Sequence, residues 1–201
     1  MNVYQLTAIS VEPEFAKADG SMPTFDQSLG VFTSVENAEE MMRINGEIDE
    51  PWAYILEERI LDDLQLHGHF KSISKYRSVR TYFGNGKPNA ENVCDDTGEN
   101  LWYGRDAETI RFKEGDFVSF INGHEISPGL VGLLPMTKDV FKAGHCGVES
   151  GDDCYLVYTA DGGHHHPFTP FVFPLVGELS PGVRAKLEAA KAADEVEMTR
   201  A

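Results

Sequence analysis

The chain has 201 residues, enough for one large domain or two small ones, and its 41% hydrophobic and 25% charged residues are those of an ordinary globular protein. Its 33 Asp and Glu against 17 Lys and Arg give a formal charge of −16. That sign argues against a dedicated binder of nucleic acid or anionic membrane, since both need positive surface.

Residues 1–11 carry no positive n-region and no long apolar run, so no signal peptide is expected. No window approaches the roughly 18 apolar residues of a membrane helix. The thiols Cys94, Cys146 and Cys154 are few and odd in number, which points to a reducing, cytoplasmic compartment rather than a disulfide framework.

Residues 3–11 (VYQLTAISV) alternate and are rich in β-branched side chains, so they read as a strand. Residues 12–27 mix prolines, glycine and charges and read as a loop or loose hairpin before the short apolar run 29–32. Ser34 then caps a helix on which Val35, Ala38, Met41 and Met42 fall at helical spacing, with Glu36, Glu39 and Glu40 near its positive end. Asn45-Gly46 stops it, and residues 52–60 (WAYILEERI) form the next strand. The opening is therefore β-β-α-β. Residues 71–83 alternate up to the Gly84-Asn85-Gly86 turn, and the polar stretch 87–100 is the expected linker or excursion.

From Arg111 the pattern is a turn, a strand over 117–121, an Asn122-Gly123 tight turn and a returning strand, in which Pro128 and Gly129 imply a bulge or an edge position. Residues 154–159 (CYLVYT) are a further strand, closed by Asp161-Gly162-Gly163. Phe168, Phe171 and Phe173, interleaved with Pro167, Pro170 and Pro174, suit an arm that closes the core. Ser180-Pro181 starts a helix expected to run to about Ala193, followed by a frayed tail.

The segment 112–134, with its F-K-x-G-D-x-V entry, resembles the first hairpin of small SH3-like β-barrels. The stretches GVFTSVENAEE (30–40), RFKEGDFV (111–118) and DDCYLV (152–157), the last followed by a His-rich loop, resemble an uncharacterised family of bacterial cytoplasmic proteins with such a segment. The resemblance implies no activity. The expected fold is α+β: an N-terminal small mixed sheet with one helix over 1–86, then an SH3-like β-barrel half and a C-terminal helix over 101–201.

The common catalytic patterns fail on inspection. Gly84-Asn85-Gly86-Lys87 runs into Pro88 and lacks the Ser or Thr of a phosphate loop; Asn89 stands where a dinucleotide fingerprint needs glycine. His124-Glu125 lacks the second His of a zinc-protease helix, and neither a G-x-S-x-G elbow nor a C-x-x-C pair occurs. These failures argue against an enzyme. The chemistry that remains is a candidate metal set of His145, Cys154, His164, His165 and His166, whose imidazole and thiolate groups suit zinc or a similar divalent ion. Against it, three consecutive histidines cannot all face one ion, and a solvated turn accounts for them better.

Asp95-Asp96 and Asp152-Asp153 read as solvated loop pairs. Lys71, Lys75 and Arg77 share one face of a strand, with Tyr76, Arg80 and Tyr82 on the other, and a salt-bridged sheet face explains them better than a nucleic-acid surface. The function this composition favours is a non-catalytic cytoplasmic binding protein for a protein or peptide partner, without cofactor or membrane contact. The alternative is a zinc-like metal protein, hydrolytic in its strongest form, built on the loop His164–His166.

Overall fold

The computed structural model describes residues 2–61, 74–93, 112–132, 155–167 and 169–198. It is an α+β protein of mainly antiparallel strands, and its contacts divide it into two compact units. The first comprises residues 1–10 and 25–104, the second residues 11–24 and 105–201. The N-terminal β-β-α-β order holds as expected. No helix among the described residues is long and apolar enough to cross a membrane.

The first unit contains strands β1 (Asn2–Val11), most of β2 (Met22–Phe32), helix α1 (Val35–Gly46), β3 (Ala53–Leu61), β4 (Ser74–Phe83) and β5 (Pro88–Val93), in the sheet order β2-β1-β3-β4-β5. Leu6 lies opposite Leu56, Ala8 opposite Tyr54, and Tyr54 opposite Tyr82, so these side chains share one face. Against that face α1 packs Ala38 and Met42. Each large apolar side chain buried in this way contributes about 1.5–3 kcal/mol. The helix begins where the sequence places it: the Ser34 hydroxyl accepts the Asn37 N–H at 3.3 Å.

The second unit holds β6 (Phe117–Asn122), β7 (Glu125–Val131), β8 (Val157–Tyr158), β9 (His164–His165), β10 (Val172–Pro174) and helix α2 (Pro181–Met198), in the order β10-β6-β7-β8-β9. One face of this sheet presents Leu130 and Tyr158, with Leu156 beside them, to Val183, Leu187 and Ala190 of α2. Another core gathers Val118, Phe120, Val131, Val157 and Val172 with Phe112 and Tyr155. Among the described residues β9 and β10 do not pair with each other, so the sheet is not closed into a barrel.

Several sequence expectations change: residues 22–27, read as part of a loop or loose hairpin, belong to β2, and His164–His165, read as a solvated turn, form β9. Residues 88–93, inside the stretch read as a linker, form β5, because Ser78, Val79, Arg80 and Thr81 of β4 pair with it despite its polar composition. The strand expected over 154–159 narrows to Val157–Tyr158 among the described residues. Of the two alternatives for Pro128 and Gly129 the edge position holds and the bulge does not, since both lie in continuous register with Ser119 and Val118. Proline is accommodated because β2 pairs only with Glu125 and Ile126 of β7, and β8 only with Leu130 and Val131, which leaves 127–129 without a strand on that side. Finally α2 continues to Met198, beyond Ala193, since the Tyr158 hydroxyl donates to Asp194 at 2.8 Å and ties the last turns to the sheet.

Candidate functional site

The C-terminal half of α1 and the β4–β5 turn enclose a cleft of about 490 Å³ within the first unit. Helical spacing brings Glu39, Met42, Arg43 and Gly46 to one side of it. The turn contributes Gly84, Asn85 and Gly86, followed by Pro88. The turn is set by its own sequence: Gly86 has φ +76°, and the Asn85 side-chain oxygen accepts the Lys87 N–H at 3.0 Å.

Met42 and Tyr82 are buried at the floor of the cleft. Beneath it the buried Tyr54 hydroxyl lies 2.9 Å from the Met42 carbonyl and 3.2 Å from the Asn45 side-chain oxygen, fixing the end of α1 on the sheet. The Tyr82 hydroxyl donates to Glu39 at 3.4 Å. Burial, and then the Glu39 charge, push the Tyr82 phenol up to about 12, so it stays a neutral donor at physiological pH.

The exposed rim is acidic. Arg43, the cation among the lining residues, donates to both oxygens of Glu40 at 2.7 and 2.9 Å and to Glu47 at 2.5 Å. These bonds hold the Glu40 carboxyl below its usual range. Two carboxylates, Glu39 and Glu47, line the cleft with Arg43, and the guanidinium is engaged by Glu47 and by Glu40 beside it. The arrangement offers an apolar floor, a neutral phenol and excess negative charge, which together suit a cationic group carried on an apolar stem.

The sequence-predicted metal set is only partly within the described residues: His145 and Cys154 lie outside them, as do the pairs Asp95-Asp96 and Asp152-Asp153. His164 and His166 stack edge to face with ring centroids 5.2 Å apart, and His164 also meets Tyr158 at 6.4 Å. His165 instead lies against Phe120, at 5.7 Å. This alternation is that of a strand, and it separates the central histidine from its neighbours. Among the described residues no group of three His, Cys, Asp or Glu side chains could hold a metal ion.

Of the basic cluster, Lys71 lies outside the described residues, and Arg80 is paired with Glu91 at 2.7 Å on the same sheet face as Tyr82. Sequence reasoning missed the cleft because Glu39 and Tyr82 are 43 positions apart; the GNG turn and the acidic first half of α1 were its only local signals. Comparison with known proteins found no matching family model, curated protein or solved structure.

Proposed function

We propose that the protein is a non-catalytic binding protein that docks a basic segment of a partner protein, taking a lysine or arginine side chain into the cleft between α1 and the β4–β5 turn. The observation that carries this reading is the surplus of carboxylates over an apolar floor: Glu39 and Glu47 line the cleft above buried Met42 and Tyr82, and Arg43, the cation on the lining, is already engaged by Glu40 and Glu47. The stem of the incoming side chain covers Met42 and the Tyr82 ring while its charged head meets Glu39 and Glu47. The overall charge of −16 supports the reading, because it would speed encounter with a basic partner at low salt. In the same reading the second unit is an SH3-like module, supported by the turn before β6 and the Asn122-Gly123 hairpin, and the protein works in the cytoplasm, supported by its sparse thiols.

The test is calorimetric titration with a short alternating Lys-Leu peptide, and with the Glu-Leu peptide as its control. The Lys-Leu peptide is expected to bind, more weakly as salt rises, with Glu39→Gln and Glu47→Gln each lowering affinity about two- to fivefold. Equal binding of both peptides, or binding indifferent to both substitutions, would overturn the reading.

A further inference from the structure

We infer that Asn122 is a site of spontaneous deamidation, the member of three Asn-Gly pairs that the fold leaves open to the reaction, and that the change loosens the second unit. The three pairs are Asn45-Gly46, Asn85-Gly86 and Asn122-Gly123. The inference is independent of the cleft, which lies in the first unit.

The chemistry belongs to the dipeptide. With its proton lost to solvent base, the backbone nitrogen of the glycine attacks the side-chain carbonyl carbon of the asparagine. A new C–N bond closes a cyclic imide, the bond to the amide nitrogen breaks, and that nitrogen leaves as ammonia. Water then opens the imide at either carbonyl. The product is aspartate, or isoaspartate, in which the chain runs through the former side chain. Glycine favours the attack because it has no Cβ to hinder it. The reaction also needs a glycine N–H within reach of solvent base, a side-chain amide free to turn, and a backbone able to rotate toward ring closure.

Two of the pairs are held. Asn45 is 6% exposed and, with Gly46, ends helix α1. Its amide nitrogen donates to Asp49 at 3.1 Å, and its oxygen lies 3.2 Å from the Tyr54 hydroxyl. Asn85 is exposed, but its side-chain oxygen accepts the Lys87 N–H at 3.0 Å. The Gly86 N–H, which would have to lose its proton, donates to the Phe83 carbonyl at 2.8 Å.

The third is not. Asn122 and Gly123 are both exposed, and among the described residues no hydrogen bond holds the Asn122 amide. Asn122 pairs with Glu125, so Gly123 and His124 form a two-residue loop, and the Gly123 φ of +61° suits its first position. Gly123 stands outside β6 and β7, and no bond among the described residues engages its N–H. Rotation of Asn122 toward ring closure opens the closing pair of one hairpin, whereas at Asn45 it breaks the end of a helix.

The product sits badly where it forms. Asn122 lines a polar cavity with Asp19, Glu125, Ser127 and Asp161, so the reaction adds a fourth carboxylate there, opposite Glu125 across the hairpin. Isoaspartate also lengthens the backbone of β6 by one atom, against a register that runs without interruption from Asn122–Glu125 to Phe117–Leu130. Two residues on, the His124 carbonyl accepts the Thr24 N–H at 2.8 Å, a bond that places the start of β2.

The test holds the full-length protein in warm, mildly alkaline buffer and follows amide-to-acid conversion at positions 45, 85 and 122 by peptide mass mapping, in the native state and in urea. Native conversion at Asn122 should outpace that at Asn85 and Asn45 about tenfold or more, because those sites must first open their hydrogen bonds, and the three rates should converge in urea. The aged protein should melt at lower urea concentration. Asn122→Gln, whose longer side chain disfavours ring closure, should show neither the conversion nor the loss, and Asn122→Asp, free of isoaspartate, should lose less than the aged protein. The inference is overturned if Asn85 or Asn45 keeps pace with Asn122 in the native state, or if Asn122 stays intact when the chain in urea has reacted. It is equally overturned if the order of rates is the same in urea, or if converted protein melts unchanged.

Discussion

The hydroxyl of Tyr82, on β4, donates to the carboxylate of Glu39, on α1, at 3.4 Å, and this contact joins helix to sheet at the floor of the cleft. It also makes the fold sensitive to alkali. Tyr82 titrates near its ordinary value in the unfolded chain but at about 12 in the folded one, so above the unfolded value the folded state binds more protons. The stabilisation is complete below about pH 10 and is lost as pH rises toward 12. Tyr54, raised by burial and by Asp49, adds in the same direction. Denaturant midpoints should stay level from pH 8 to about 9.5 and fall from about pH 10 upward, and Tyr82→Phe should flatten that fall. An unchanged slope in the variant would show that Tyr82 is not the group responsible.

Gly84 closes the opposite wall of the cleft by lying against the chain before β3. A Cβ there would stand 1.8 Å from the Pro51 carbonyl oxygen and 3.2 Å from that of Trp52, both backbone atoms that cannot swing aside. The Gly84 N–H also donates to the Trp52 carbonyl at 2.9 Å. Gly84→Ala must therefore separate these segments, and should destabilise the protein by at least about 2 kcal/mol. Gly86→Ala is the contrast: its Cβ meets nothing within 4 Å, and only its φ of +76° opposes the change. It should cost about 1 kcal/mol. Urea melts of the two variants side by side check the order.

Elements with a local chemical signature were legible in the sequence, and those made by distant pairing were not. Ser34, Asn122-Gly123 and Ser180-Pro181 each act on neighbours within a few residues, and a helix or hairpin forms at each. Phe25, Asp26, Gln27 and Ser28 of β2 are all exposed, so no alternation marks them as a strand. The β2 start is placed instead by Met22 and Pro23 pairing with Ile126 and Glu125, about a hundred residues away. The same remote pairing, with the Thr24 N–H donating to the His124 carbonyl, draws residues 11–24 into the second unit. That three consecutive histidines cannot all face one ion is a local property and was legible, but the strand that holds His164 and His165, made by pairing with Val157 and Tyr158, was read as a solvated turn. The cavity between Ser127, Asp19 and Asp161 carries no such local mark.

Arg43 separates the stability of α1 from the charge of the cleft. It is more than half exposed, as are Glu40 and Glu47, so its ion pairs contribute little: Arg43→Gln should change stability by less than about 1 kcal/mol. The substitution nevertheless frees two carboxylates beside the cleft. Affinity for the Lys-Leu peptide should rise about two- to fivefold, with the gain vanishing at high salt. A loss of affinity would mean that Arg43 itself contacts the partner.

The end of α2 gives the last expectation, in which one hydroxyl helps to hold a helix beyond its apolar stripe. Val183, Leu187 and Ala190 bury the first three turns against Leu130, Leu156 and Tyr158, whereas Val196 beyond them is 49% exposed. Beyond Ala190 polar bonds take over, the Lys191 ammonium donating to Glu114 at 2.7 Å among them. The Tyr158 hydroxyl, donating to Asp194 at 2.8 Å, extends the hold by one further turn. Tyr158→Phe keeps the ring in the core and removes only that bond, so it should cost about 1 kcal/mol globally. Its larger effect is local: hydrogen exchange at the amides of 194–198 should quicken several-fold while those of 183–190 stay protected. Leu187→Ala, by contrast, opens a cavity at a fully buried position, should cost about 2–5 kcal/mol, and exposes the whole helix. Equal acceleration along α2 in Tyr158→Phe would place the anchor in the apolar face alone and leave Asp194 without a role.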